Sequence, residues 1–155
     1  MRRDLTALAD GFQFHLRDAD AAYSFPPEWP EAAMADRVFA VPSAIGILVA
    51  KNWFVPVAIE VVASSPEIDE EGWDHIVEAT LALPSGRLVL AGGPGPGRDQ
   101  PPVELPAPGS WRLLILMGNL DRTAVEALGD DYYKVMLWPG DGPLVVRKRW
   151  TPAPG

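Results

Sequence analysis

The side chains best suited to acid–base or nucleophilic chemistry in this sequence are His15 and His75, with Ser64, Ser65, Ser85 and Ser110 in turn-like segments. An imidazole titrates near neutral pH, so either histidine could give or take a proton. His75 has Asp74 beside it. Neighbours on a strand point to opposite faces, however, so the two cannot work as a dyad. None of the serines sits in a nucleophile elbow. The chain has no cysteine, which removes a thiol nucleophile, a thiolate zinc site and a disulfide framework together. We therefore expect no catalytic residue, no metal site and no cofactor. A hydrolase that pairs a serine with His15 or His75 through the fold is kept as an alternative.

Three other groups of residues could bind. Glu67, Asp69, Glu70 and Glu71, with Asp74 close behind, put five carboxylates in one stretch. A hard cation needs several oxygens converging at about 2.3–2.6 Å, and this spacing lacks the alternating ligands of a calcium loop. A solvated loop that could meet a basic partner is the better expectation. The Gly-Pro run 92–97 is not a phosphate cradle, because its prolines delete alternate N–H donors and no helix follows. It reads as a mobile surface loop. The six tryptophans are many for this length. Trp111 and Trp138 fall within strong strand patterns and read as core. Trp29, beside prolines, and Trp53, next to a turn, are the better contact candidates. They also support a second functional alternative, a small-ligand or carbohydrate-binding protein. Arg147, Lys148 and Arg149 read as a solubilising tail rather than a membrane or phosphate patch.

The elements that must position these residues are short. The chain has 155 residues, with 14 Gly and 17 Pro, which suits many strands joined by turns and not a helical protein. Residues 2–10 suggest a helical turn through Leu5, Leu8 and Ala9. Phe12, Phe14 and Leu16 alternate with polar residues as in a half-buried strand. Prolines at 26, 27 and 30 forbid regular structure, and Pro30 then opens a short helix over 31–36. Strands follow over 38–41, 45–50 and 54–62, with Lys51-Asn52 as a turn. Pro56 suggests an edge or a bulge.

Residues 73–91 carry the clearest pattern, two apolar arms around Pro84-Ser85-Gly86. Paired as a hairpin, they set Leu83 opposite Leu88 and Leu81 opposite Leu90, one patch with Val77 and Ala79. Residues 103–105 read as a brief edge strand. Residues 110–117 are apolar on both faces past Arg112, as in a central strand. Asp121 suits the N-cap of a helical turn over 122–128. Strands over 132–138 and 144–150 complete eight to ten, and 151–155 should be disordered. The expected fold is all-β, a mostly antiparallel β-sandwich with short helical connections, a closed barrel being the alternative. Residues 1–141 form one domain, and 142–155 a basic C-terminal strand or tail.

The net charge is −8 and the pI about 4.6. An acidic body argues against direct nucleic-acid binding and suits a basic protein partner. No signal peptide is visible and no apolar run is long enough to span a membrane, so a cytoplasmic protein is expected. Any binding surface is expected at the end of the 73–91 segment away from its turn, fed by the acidic loop and the Gly-Pro loop.

The order of features also resembles a known family. Pro-Pro-x-Trp leads into an Ala-rich helix across 26–37, and strands follow over 38–50, including Ala44-Ile45-Gly46. The 73–90 segment comes next, then Val103-Glu104-Leu105-Pro106-x-Pro-Gly109 running into Trp111-Arg112-Leu113. In this order the chain resembles the competence protein J family, bacterial proteins associated with inhibition of a DNA-entry nuclease. It is similar also to bacterial proteins that carry a Trp-Asp-His-Ile-Val-Glu and Pro-Ser-Gly-Arg-Leu segment of this kind. The resemblance covers residues 12–138. It implies a small β-sandwich that binds another protein, with a basic nuclease as the specific partner. It transfers no individual contact residue.

Overall fold

The computed structural model describes residues 1–9, 11–92, 99–122 and 130–152. Its strands are β1 (Arg2–Leu8), β2 (Gln13–Asp18), β3 (Val38–Val41), β4 (Ala44–Leu48), β5 (Phe54–Val61), β6 (His75–Leu83), β7 (Arg87–Ala91), β8 (Val103–Glu104), β9 (Gly109–Gly118), β10 (Tyr132–Pro139) and β11 (Val145–Lys148). One six-residue helix, α1 (Glu31–Asp36), precedes β3. The strands form two sheets, in the orders β1-β5-β10-β9-β6-β11 and β3-β4-β2-β7-β8. All ladders are antiparallel except β5 with β10. The fold is thus all-β, with two open sheets facing each other across a core that includes Phe14, Leu16, Ile45, Ile59, Leu113, Ile115 and Val135.

The 73–91 segment is not a hairpin. β6 pairs with β9 and β11, whereas β7 pairs with β2 and β8 in the other sheet. The turn at 84–86 is a crossover between sheets. Leu81 lies opposite Trp111 and Leu90 opposite Leu16. The apolar patch is nonetheless real, since Val77, Ala79, Leu81, Leu83, Leu88 and Leu90 all belong to the one core. They meet face to face across the sandwich instead of side by side along a ladder. Asp18 secures the crossover. Its carboxylate accepts from Ser85 N–H at 3.0 Å and Ser85 Oγ at 2.6 Å, and from the backbone of Asp20 and Ala21.

Three smaller readings also change. Residues 2–8 are an edge strand in register with β5, from Arg2 opposite Glu60 to Leu8 opposite Phe54, and not a helical turn. Leu5, Ala7 and Ala9 point to the core, the last two at 1% and 0% exposure, a period of two that the out-of-phase Leu8 obscures. Pro56 is in neither an edge strand nor a bulge: β5 lies between β1 and β10. The β10 ladder begins only at Val57, so Pro56, which has no N–H to donate, faces no partner on that side. Finally, the basic residues near the C-terminus do not form a free tail. β11 extends the six-stranded sheet beside β6. Arg147 pairs with Glu70 at 2.6 Å and Glu78 at 3.3 Å, and Arg149 with Asp36 at 2.7 Å. Of the flexible loop expected over 92–102, residues 93–98 lie outside the described residues, while Asp99 bridges Ala91 and Gln100 N–H donates to Leu90 O. Residues 123–128 of the expected helical turn and 153–155 of the expected disordered end also lie outside them.

Candidate interaction site

At one end of the sandwich lie the β1–β2 connection, the β4–β5 connection, the start of β6 and β10 and the end of β9 and β11. Buried polar groups fix this end. Tyr133 donates its hydroxyl to Asp131 Oδ2 at 2.7 Å, and both oxygens receive the Ala50 N–H, at 3.0 and 3.2 Å. Asp131 is 1% exposed. Burial, then the Asp131 charge, pushes the Tyr133 phenol far up, so it keeps its proton. A buried donor–acceptor set of this kind costs more to break than it contributes when intact. It ties β10 of one sheet to the segment leaving β4 of the other.

Two residues beyond Ala50, Asn52 carries the order outward. Its Oδ1 accepts from Gly11 N–H at 2.9 Å and Phe12 N–H at 3.3 Å. Ala9 N–H donates to Trp53 O at 2.9 Å, and Val49 N–H to Phe12 O at 2.9 Å. Phe12 is held at φ 61°, a left-handed conformation that costs a bulky residue about 1–2 kcal/mol. Yet its ring is 49% exposed, Trp53 is 53% exposed and Phe54 45%. Trp53 and Phe54 stand edge to face, with ring centroids 5.2 Å apart. Three large aromatic residues are thus exposed here, Phe12 and Trp53 in the two mutually bonded connections and Phe54 at the start of β5.

Trp29 borders the same end. It is half-buried, and its ring fills the space a side chain would take at Gly46: a Cβ there would come within 2.5 Å of it. Phe25 and Phe39 flank it, with centroids at 6.3 and 5.5 Å. One face of Trp29 is therefore occupied by packing. Its edge lines a shallow cavity of about 380 Å³ with Gly11, Gln13, Glu28, Met34 and Leu48. Trp29 and Trp53 are thereby linked through Gly11 and Asn52. Trp111 and Trp138 are core, at 2% and 7% exposure.

The acidic loop crosses the outer face of the six-stranded sheet and reaches this end where it leads into β6. Ile68 and Trp73 cover Ile76, Leu114, Leu116, Met136 and Trp138 there. Glu70 is held by Arg147, and its carbonyl accepts from Lys148 Nζ at 2.9 Å. Asp69 caps the 3-10 turn Glu70–Gly72 by accepting from Glu71 N–H. Glu67, Asp69 and Glu71 are exposed. Among the described residues no three His, Asp or Glu side chains converge as a metal site would need.

Both histidines are built into the fold. His75 Nε2 donates to Asp36 O at 2.7 Å and its Nδ1 accepts from Trp150 N–H at 3.0 Å. Burial, together with Arg37 and Arg149 nearby, holds its pKa below the ordinary value. Asp74 turns away and accepts from Leu120 N–H at 2.8 Å, as strand alternation requires. His15 packs against Phe25 at 4.5 Å and bonds Gln13 at 2.8 Å, and burial lowers its pKa to about 4. Burial disfavours the charged form of both rings, and His15 Nδ1 is buried without a partner.

Sequence reasoning missed Phe12, Asn52 and Phe54 as parts of this end. The alternation Phe12-x-Phe14-x-Leu16 points Phe12 inward. The signal against that was Gly11, which turns the chain at φ 75° just before it. Among the described residues no helix is long and apolar enough to cross a membrane.

The two facing sheets, with one parallel pair and a crossover at residues 84–86, define a class of small β-sandwich. Within it, the chain is similar to ComJ of Bacillus subtilis, an inhibitor of the DNA degrading activity of NucA, with a TM-score of 0.64 and 13% identity over 88% of this chain and 93% of that one. It is similar also to the product of crocagin biosynthetic gene J, with a TM-score of 0.56 and 18% identity over 89% and 95% of the two chains. At these identities the likeness is one of fold. No family model and no curated protein matches the sequence.

Proposed function

We propose that this chain is a non-enzymatic interaction module that inhibits a DNA-degrading enzyme by docking on it. The reading is carried by the likeness to ComJ, which spans 88% of this chain and 93% of that one. Two features support it. Both histidines are buried, and His75 spends both ring nitrogens on hydrogen bonds, which suits a strut better than a general base. The net charge of −8 suits the partner as well. An enzyme that works on DNA presents cations to the phosphate backbone, and the same cations draw in an acidic protein. The partner on this reading is a protein, met in the cytoplasm, and neither a nucleic acid nor a membrane. Glu67, Asp69 and Glu71 would add to long-range attraction, while Trp29 and Trp53 would make contact.

The test is a plasmid-degradation assay with the purified DNA-degrading enzymes of the native host. The proposal expects one of them to lose activity as stoichiometric amounts of the chain are added. Full activity of every one in the presence of excess chain, with no complex on gel filtration, would overturn it.

A further inference from the structure

The exposed aromatic trio at the β1–β2 and β4–β5 loops asks for an explanation, because the fold does not need it. Core packing would bury Phe12, and surface solubility would replace Trp53 and Phe54 by polar residues. Instead a non-glycine residue sits at φ 61°, held to Asn52 by its own N–H and that of Gly11, and is 49% exposed. The loops that carry the trio are not loose. They are tied to each other at Ala9–Trp53 and Phe12–Val49 and to the core through Ala50, Asp131 and Tyr133. Aromatic rings displayed on a rigid base lose little entropy on binding, and such rings dominate the energetics of interfaces.

The charges around the trio bear on what covers it. Glu28 lines the adjoining cavity, and Glu31 is exposed at the start of the following helix. Of the cations at this end, Lys51 lies in the β4–β5 connection itself, Arg37 sits over the Trp150 ring, and Arg149 pairs with Asp36 and Ala35 O. An apolar centre on a chain of net charge −8 is complementary to an apolar pocket with a basic rim.

We propose that Phe12, Trp53 and Phe54 are the anchor by which this chain docks, end-on, into an apolar pocket on the cationic face of a basic protein partner. The proposal deepens the inhibitor reading and rests on it for the identity of the partner. The acidic loop at residues 67–71, on the outer sheet face, then contributes to attraction and not to the contact itself.

The test uses a photoreactive benzoylphenylalanine placed singly at positions 12, 53 and 82 of the full chain. Ala82 is exposed at the far end of β6. In host cells, positions 12 and 53 should crosslink to one basic protein, identified by mass spectrometry, and position 82 should not. With that protein purified, binding should weaken as salt rises. Trp53→Ala combined with Phe54→Ala should weaken it at least about tenfold, at an unchanged melting temperature because both side chains are exposed. Crosslinking from position 82 alone, crosslinking from no position, an acidic partner, or an unchanged affinity of the double variant would each overturn the anchor. The two proposals fail separately. A basic partner that is not a DNA-degrading enzyme keeps the anchor and removes the inhibitor reading. A double variant that inhibits the enzyme as well as the parent does the reverse.

Discussion

Asn52 holds Phe12 in place: one amide oxygen accepts the N–H groups of Gly11 and Phe12, at 2.9 and 3.3 Å. Through this contact the β4–β5 connection sets the shape of the β1–β2 connection. Both residues it holds have positive φ, 75° and 61°, so the loop has little reason to keep its form without it.

Asn52→Ala should therefore loosen residues 11 and 12 with little effect on the core. We expect a stability loss of about 1 kcal/mol, the net value of an exposed hydrogen-bonded cap of this kind. Amide exchange at residues 11 and 12 should accelerate while that of β9 stays slow. Unchanged exchange at both residues would show that the loop holds itself.

Tyr133→Phe removes the hydroxyl that bridges Asp131 and Ala50. The carboxylate is buried and has another oxygen, Oδ1, without a partner, so the loss should exceed that of an exposed bond. We expect about 1–3 kcal/mol in urea denaturation. A loss well below this would mean that Asp131 alone holds Ala50.

Deleting residues 143–155 removes β11 with Arg147 and Lys148, and Arg149 after it. The edge of β6 is then uncovered, and Glu70, Glu78 and Asp36 lose Arg147 and Arg149. We expect a cost of at least about 2 kcal/mol, or roughly 4–8 °C in melting temperature for a chain of this size. A truncated protein that melts with the parent would favour the tail over the strand as the reading of residues 142–155.

Stability should fall towards both extremes of pH. His15 and His75 are folded with pKa values below the ordinary one, near 4 for His15. The unfolded chain therefore binds protons first, and their contribution, full above pH of about 6.5, is lost as pH falls towards those values. Burial alone would raise the Asp18 pKa, but hydrogen bonds from Ser85, Asp20 and Ala21 outweigh it and lower it. Its contribution is present above the usual carboxylate pKa and disappears on further acidification. Tyr133 is shifted upward by burial and by Asp131. Its contribution holds below pH of about 10 and is lost above, where the unfolded phenol ionises. Chemical denaturation across pH checks all three, and a flat profile between pH 4 and 7 would contradict the histidine assignments.

What was legible in the sequence, and what was not, follows from how local each signal is. The doubly apolar run at residues 110–117 could only be a central strand, and β9 is flanked by β10 and β6. Pro30 before an Ala-rich stretch marked α1. Strand alternation was enough to separate Asp74 from His75. The leucines at 81, 83, 88 and 90 had the right periodicity for a hairpin and equally for a crossover, because alternation says which residues share a face and not which sheet they join. Asp18, which secures the crossover from a distance in sequence, gives no local sign of doing so. The basic segment at residues 147–149 looked like a tail because its acidic partners Asp36, Glu70 and Glu78 lie far away in the chain. The aromatic end was half visible: Trp53 stood out by its place after a turn, whereas Phe12 was hidden by an alternation that Gly11 breaks.

The most direct test of the inhibitor reading is the initial rate of DNA degradation by each DNA-degrading enzyme of the native host, titrated with the full chain. The reading predicts that for one enzyme the rate falls linearly and levels off at the equimolar point, with inhibition relieved by high salt. A rate that stays at its starting value for every such enzyme, up to a large molar excess of the chain, would contradict it.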